Sequence, residues 1–202
     1  MMILRTAAAS PFGRKVRIAA NLLGLTEQIE IRPADPTDPN DDLRQQNPVG
    51  KIPTLIDESG TAYYDSRVIV EYLDHRAGGG RVIPRDGAPR FEALRLQALC
   101  DGLLDASLLV VYEGRFRSAE HQEQKWLTHQ GGKVDRGMKV LEASPPKLDA
   151  VPTVGQITLA CLLGYRDLRF QGSWRKDYSA LVAWLDRFAA QVPAFEQTRF
   201  VG

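Results

Sequence analysis

The 202-residue sequence predicts a small α/β domain at residues 1–78 followed by an all-helical domain at residues 86–202. Three observations carry that prediction. Over the first 77 residues, strand and helix periods alternate in the order β-α-β-α-β-β-α. The stretch RAGGGRVIPRDGAPR, residues 76–90, is rich in Gly, Pro and Arg and reads as a linker. Beyond it the strand signal disappears and only long helical patterns remain.

Residues 2–6 form a short apolar run compatible with a strand. Ser10 and Pro11 then supply a helix cap and a proline at the first helical position, where its missing donor does no harm. Phe12, Val16, Ile18, Ala19, Leu22 and Leu23 follow at helical spacing, and Gly24 closes the helix. Residues 28–31 read as a second strand, PADPTDPN as a loop, and residues 41–46 as a short polar helix or turn. Residues 53–56 and 62–64 are strands joined by Glu58-Ser59-Gly60, close enough to form a hairpin. An amphipathic helix over residues 66–76 ends the first domain. In the second, Phe91, Leu94, Ala98, Leu99, Leu103, Leu108, Val111 and Tyr112 trace one face of a long helix. A second helix spans residues 119–143, weakened at Gly131-Gly132, each glycine costing about 1 kcal/mol against Ala. Residues 153–168 are apolar on nearly all sides and predict a buried central helix; residues 178–191 predict another.

Composition narrows the function classes. Apolar residues make up 44% and charged residues 25%, ordinary for a globular protein. A net charge of +1 gives no support for attraction to nucleic acid or an anionic membrane. No apolar run approaches the roughly 18–20 residues needed to span a bilayer. The first residues place their basic cluster after the apolar ones, the reverse of a signal peptide. Cys100 and Cys161 are far apart within helical patterns and read as free thiols, so a cytoplasmic location is expected. His75, His121 and His129 lack ligand spacing, and no metal site is expected. Arg14, Lys15 and Arg17 stand near a helix start, where the dipole disfavours cations; they could attract an anionic ligand but read first as a solvated face, and Trp126, Trp174 and Trp184 read as packing residues.

One feature of the first domain is odd: Pro53 stands where a strand should begin, although proline has no donor for a sheet. With Ser10-Pro11-Phe12, Asn47-Pro48-Val49-Gly50-Lys51-Ile52-Pro53-Thr54-Leu55 and Asp65-Ser66, it resembles the cytosolic glutathione S-transferase family, bacterial branch. The resemblance runs the whole chain, because Thr153-Val154-Gly155-Gln156 falls where that family caps its central helix. The capping box has Gln where the family usually has Asp. The implied fold is an α/β thioredoxin-like N-terminal domain plus an all-α C-terminal domain. The resemblance also implies a cis Ile52–Pro53 bond, which an X-Pro pair tolerates at about 0.5–1 kcal/mol. Its main chain would pair with the cysteinyl part of glutathione as if with another strand. Asp65 and Ser66 would hold the glutamyl end at a helix N-terminus, with Arg67 reaching the same carboxylate or a partner subunit. Phe12 and Lys51 complete the implied glutathione site.

The catalytic candidate is Ser10. A free thiol has a pKa of about 8.5, so only a few per cent is thiolate at pH 7. Residues 1–62 contain no Tyr, Cys or His, so the donor is sought among hydroxyls; of Thr6, Ser10 and Ser59, only Ser10 sits at a helix N-terminus. The helical domain would shape a pocket for a small hydrophobic electrophile, with Tyr112 and Phe116 in its lining. The expected activity is a detoxifying transfer of glutathione, the co-substrate, with no other cofactor, by a homodimer. Two alternatives stand beside it: a non-catalytic member that binds glutathione or a protein partner in a stress response, and a glutathione-dependent peroxidase or dehalogenase. The Ser-Ser-Cys signature of maleylacetoacetate isomerases is absent.

Overall fold

The strand Met2–Thr6 (β1) leads through a tight turn into the helix Pro11–Leu23 (α1), and a second strand, Ile29–Pro33 (β2), returns beside it in parallel. A computed structural model describes residues 1–200 of the chain. After a single-turn helix Leu43–Gln46 (α2) come the strands Thr54–Ile56 (β3) and Ala62–Tyr63 (β4) and the helix Ser66–Arg76 (α3). The sheet order is β2-β1-β3-β4, with β3 antiparallel to β1 and β4 antiparallel to β3. Every further element among the described residues is helical: Gly87–Phe116 (α4), Gln124–Ala143 (α5), Val154–Phe170 (α6), Ser179–Gln191 (α7) and Ala194–Gln197 (α8), with short 3-10 turns between some of them. No helix is long and apolar enough to cross a membrane among the described residues.

The core follows from apolar spacing. Met2 and Leu4 of β1, Leu55 of β3, Val16, Ile18 and Ala19 of α1, and Ile69, Val70 and Leu73 of α3 are all buried together. Helix α1 packs on α3 and also on α6. Residues 154–163 are buried without exception, as the all-round apolar pattern of α6 predicts. Gln156 Oε1 accepts from the Thr153 amide at 3.0 Å. Its Nε2 donates to the Lys147 carbonyl and to Asp149, contacts that an aspartate at this position could not make.

Several expectations are corrected. The buried face of α4 is not the predicted one: Phe91 is 71% exposed and Ala98 is exposed, while Gln97, Asp101, Ser107 and Glu113 are buried. Helix α4 is apolar around much of its girth, and its neighbours α5 and α6 select the face. Three of these buried polar groups are bonded: Asp101 accepts from Lys15, Ser107 donates to the Leu103 carbonyl, and Glu113 accepts from Arg117 and from the Glu123 amide, whereas Gln97 Nε2 has no partner among the described residues. Helix α5 runs unbroken through Gly131-Gly132 but starts at Gln124, after a 3-10 turn over Ala119–His121. The stretch expected to link two domains is pinned. Asp74 accepts from the amides of Gly80, Arg81 and Val82; Arg81 donates to the carbonyls of Leu22 and Leu23; and the Val154 amide donates to Val82. Trp174 and Trp184 are core residues, whereas Trp126 is exposed and stacks near His129.

Candidate active site

The turn after β1 sets Ser10 at the mouth of α1. Its amide donates to the Ala7 carbonyl at 3.0 Å, and its side chain caps the helix, Oγ accepting from the Gly13 amide at 3.1 Å. Accepting leaves the hydroxyl proton free to donate. Gly13 is what allows this turn to lie against the strand end. A Cβ there would fall 1.9 Å from Thr6 Oγ1, so no other residue fits without rearrangement. Thr6, the other nearby hydroxyl, is buried beneath it.

The predicted solvated face of α1 is not solvated. Lys15 is 0% exposed, and its Nζ donates to both oxygens of buried Asp101 at 2.8 and 3.0 Å. Asp101 also accepts from Arg67 Nε at 3.0 Å. One carboxylate of α4 therefore ties α1 to the first turn of α3. The Lys15 ammonium lies 5.8 Å from the Phe12 ring centre, which brings half-buried Phe12 to the same corner. Arg14 is also buried, against the C-terminal segment.

The loop before β3 is held by Asn47. Its Nδ2 donates to the Lys51 carbonyl at 2.9 Å and to Thr54 Oγ1 at 3.2 Å, while its Oδ1 accepts from the Val49 amide. The Ile52–Pro53 bond is cis. The Ile52 amide and carbonyl make no hydrogen bond with the described residues. Asp65, rather than Ser66, caps α3, Oδ1 accepting from the Arg67 amide at 2.9 Å. Ser66 is buried, and its hydroxyl has no partner among the described residues. Lys51, Asp65, Arg67 and Asp101 all lie close enough to Asp105 to influence its ionisation. Burial raises that carboxyl above its usual range, with Asp101 adding to the rise and Arg67 and Lys51 opposing it.

The structure thus brings Lys51, Asp65, Ser66 and Arg67 into one neighbourhood and Phe12 beside it. A cavity of about 630 Å³ opens at Ser10, walled by Arg14, Cys161, Tyr165, Leu168 and Phe195 among others. Tyr112 and Phe116 do not line it. They pack edge to face at 5.3 Å on the last turn of α4, with Phe116 58% exposed. Tyr112 still lies near enough to Tyr165 to add to the rise that burial gives the Tyr165 phenol. Sequence reading missed Asp101, Arg14, Tyr165 and Phe195. Of these only Arg14 had a signal, a cation placed near a helix start where the dipole disfavours it.

Residues 4–81 match the family described as glutathione S-transferase, N-terminal domain. An Escherichia coli K12 protein, uncharacterized GST-like protein YibF, is 34% identical over 164 residues, 79% of each chain. The chain belongs to the glutathione S-transferase family. The fold is that of the family, a thioredoxin-like α/β portion followed by helices. A glutathione S-transferase from Methylobacillus flagellatus KT, solved with GSH bound, superposes over the whole of both chains with a TM-score of 0.91 at 33% identity. A glutathione transferase family member from Pseudomonas fluorescens Pf-5 with bound glutathione does so with a TM-score of 0.90 at 36% identity.

Proposed function

We propose that this chain is a serine-type glutathione transferase. Ser10 holds the glutathione sulfur as a thiolate and aims it at an electrophile in the adjoining cavity. The observation that carries the reading is Ser10 itself: a helix cap whose oxygen is engaged, whose proton is free, and which lines that cavity. Lowering a thiol pKa by about 2 units requires roughly 2.7 kcal/mol. One hydroxyl donor together with a helix N-terminus can supply that. The thiol proton leaves to water, the hydroxyl donates to the sulfur, and the thiolate forms the new bond as the leaving group or π pair departs.

Residues 1–78 bind glutathione in this reading and residues 86–202 wall the electrophile pocket. The unpaired amide and carbonyl of Ile52, presented by the cis bond to Pro53, receive the cysteinyl part. Ser66 and the N-terminus of α3 receive the glutamyl carboxylate, Asp65 balances its ammonium, and Phe12 and Lys51 border the peptide. Arg67, held by Asp101, supplies positive charge at the same end. Tyr112 and Phe116 take no part in the lining of the cavity at Ser10. The protein works as a cytoplasmic homodimer in conjugation of the detoxifying kind.

The test is retention on immobilised glutathione followed by assay against aryl halides, haloacids, enones and hydroperoxides. Retention with conjugation is the expected result. Retention with no turnover of any of these would replace the enzyme by a glutathione-binding module.

A further inference from the structure

Arg14 is a buried cation with no carboxylate in contact among the described residues. It is 9% exposed, and among the described residues it forms no salt bridge. Nε donates to Thr198 Oγ1 at 3.3 Å, Nη2 donates to the Phe195 carbonyl, and the guanidinium lies 4.0 Å from the Phe195 ring centre. Those contacts fasten α1 to the C-terminal segment, but two neutral acceptors and a ring do not require a charge. Nη1 has no acceptor among the described residues. It is turned toward Gly164 of α6, where a Cβ would sit 2.5 Å from it, and Arg14, Gly164 and Ser10 all line the same cavity.

The other charges in the cavity wall are already matched. Arg175 pairs with Asp167 at 2.6 Å and Arg199 with Glu196 at 3.3 Å. The Cys161 thiol is pushed up to about 11 by burial and stays neutral at pH 7. Among the described residues Arg14 is thus the one cation of the wall with no carboxylate in contact: burial disfavours its charge, and Glu196, which pairs with Arg199, favours it only from a distance. A charge taken out of water is costly until something pairs with it. Guanidinium is the side chain best shaped to receive a carboxylate.

We propose that the second substrate carries a carboxylate and that Arg14 receives it at the floor of this cavity, beside the sulfur held at Ser10. The inference rests on the reading of Ser10 given above, and it replaces a purely hydrophobic electrophile by an anionic one. Tyr165, Leu168 and Phe195 cover the carbon skeleton. Residues one helical turn apart have Cβ atoms about 5–6 Å apart, a span that a short carboxyalkyl or carboxybenzyl group on sulfur covers.

The experiment is calorimetry on the wild-type protein with two matched pairs of glutathione thioethers. The first pair is S-carboxymethyl against S-carbamoylmethyl glutathione, and the second is S-(4-carboxybenzyl) against S-(4-carbamoylbenzyl) glutathione. A charge-assisted hydrogen bond predicts about ten- to a hundredfold tighter binding of the acid in at least one pair. Arg14→Met should erase that preference while the amides keep their affinity. Should Arg14→Met fail to fold, Gly164→Ala, which displaces Nη1, should do the same. Equal affinity of acid and amide in both pairs overturns the proposal, as does an unchanged preference in a folded variant. If the amides bind and the acids gain nothing, the glutathione site stands and only the carboxylate falls. If no thioether binds, the glutathione reading falls and takes this one with it.

Discussion

Ser10 has two roles that separate under mutation. Ser10→Ala removes a cap, costing about 0.5–2 kcal/mol of stability, and removes the donor to sulfur. The donor favours only the charged form of the thiol, so its loss raises the pKa of bound glutathione by about 1–2 units. At pH 7 the conjugation rate should fall roughly ten- to a hundredfold, and raising the pH should restore most of it. Ultraviolet titration of the bound thiolate checks this. An unchanged pKa would leave Ser10 as a cap alone. Ser66→Ala tests the other end of the peptide. Because Asp65 rather than Ser66 caps α3, the variant should fold normally. Glutathione affinity should drop by about 1.5–3 kcal/mol by calorimetry. No change in affinity would remove Ser66 from the site.

At the scale of elements, Lys15 and Asp101 decide how α1, α3 and α4 meet. Both are buried, so removing one partner strands the other. Asp101→Ala should destabilise the fold by about 3–5 kcal/mol in denaturant unfolding, whereas the double variant Lys15→Met with Asp101→Leu should recover most of that loss. A single variant as stable as wild type would show that water reaches the pair. The boundaries of α1 and α3 were legible because local rules write them: Ser10-Pro11 and Gly24 for one, Asp65 for the other. Burial along α4 was not legible, because Phe91 and Leu103 are equally apolar in sequence and only packing against α5 and α6 buries Leu103 and leaves Phe91 out. The Asp74 clamp on the linker was equally hidden, since a carboxylate receiving three amides carries no sequence spacing.

For the whole molecule, the exposed apolar residues are unevenly explained by the single chain. Tyr64, Val68 and Phe91 are exposed on or beside α3 and α4, which are joined by Arg90–Glu71 at 2.6 Å and by Arg67–Asp101 at 3.0 Å. A second copy would cover such a surface. Sedimentation at micromolar concentration should give twice the 22.5 kDa chain mass, and Phe91→Glu should shift it to the monomer without unfolding it. A 22.5 kDa wild-type species would refute the dimer.

The sequence by itself determined the order of elements, the family, the hydroxyl at the mouth of α1 and the proline that bends the chain before β3. These are local facts: caps, prolines, glycines and apolar periods act within a few residues. Tertiary structure alone decided which charges are buried. Arg14 and Lys15 are neighbours in a basic run, yet Lys15 finds Asp101 from 86 residues away, while among the described residues Arg14 bonds to Phe195 and Thr198 and touches no carboxylate. A charge is worth what surrounds it, and its surroundings come from α4 and the C-terminal segment, which no local pattern brings together.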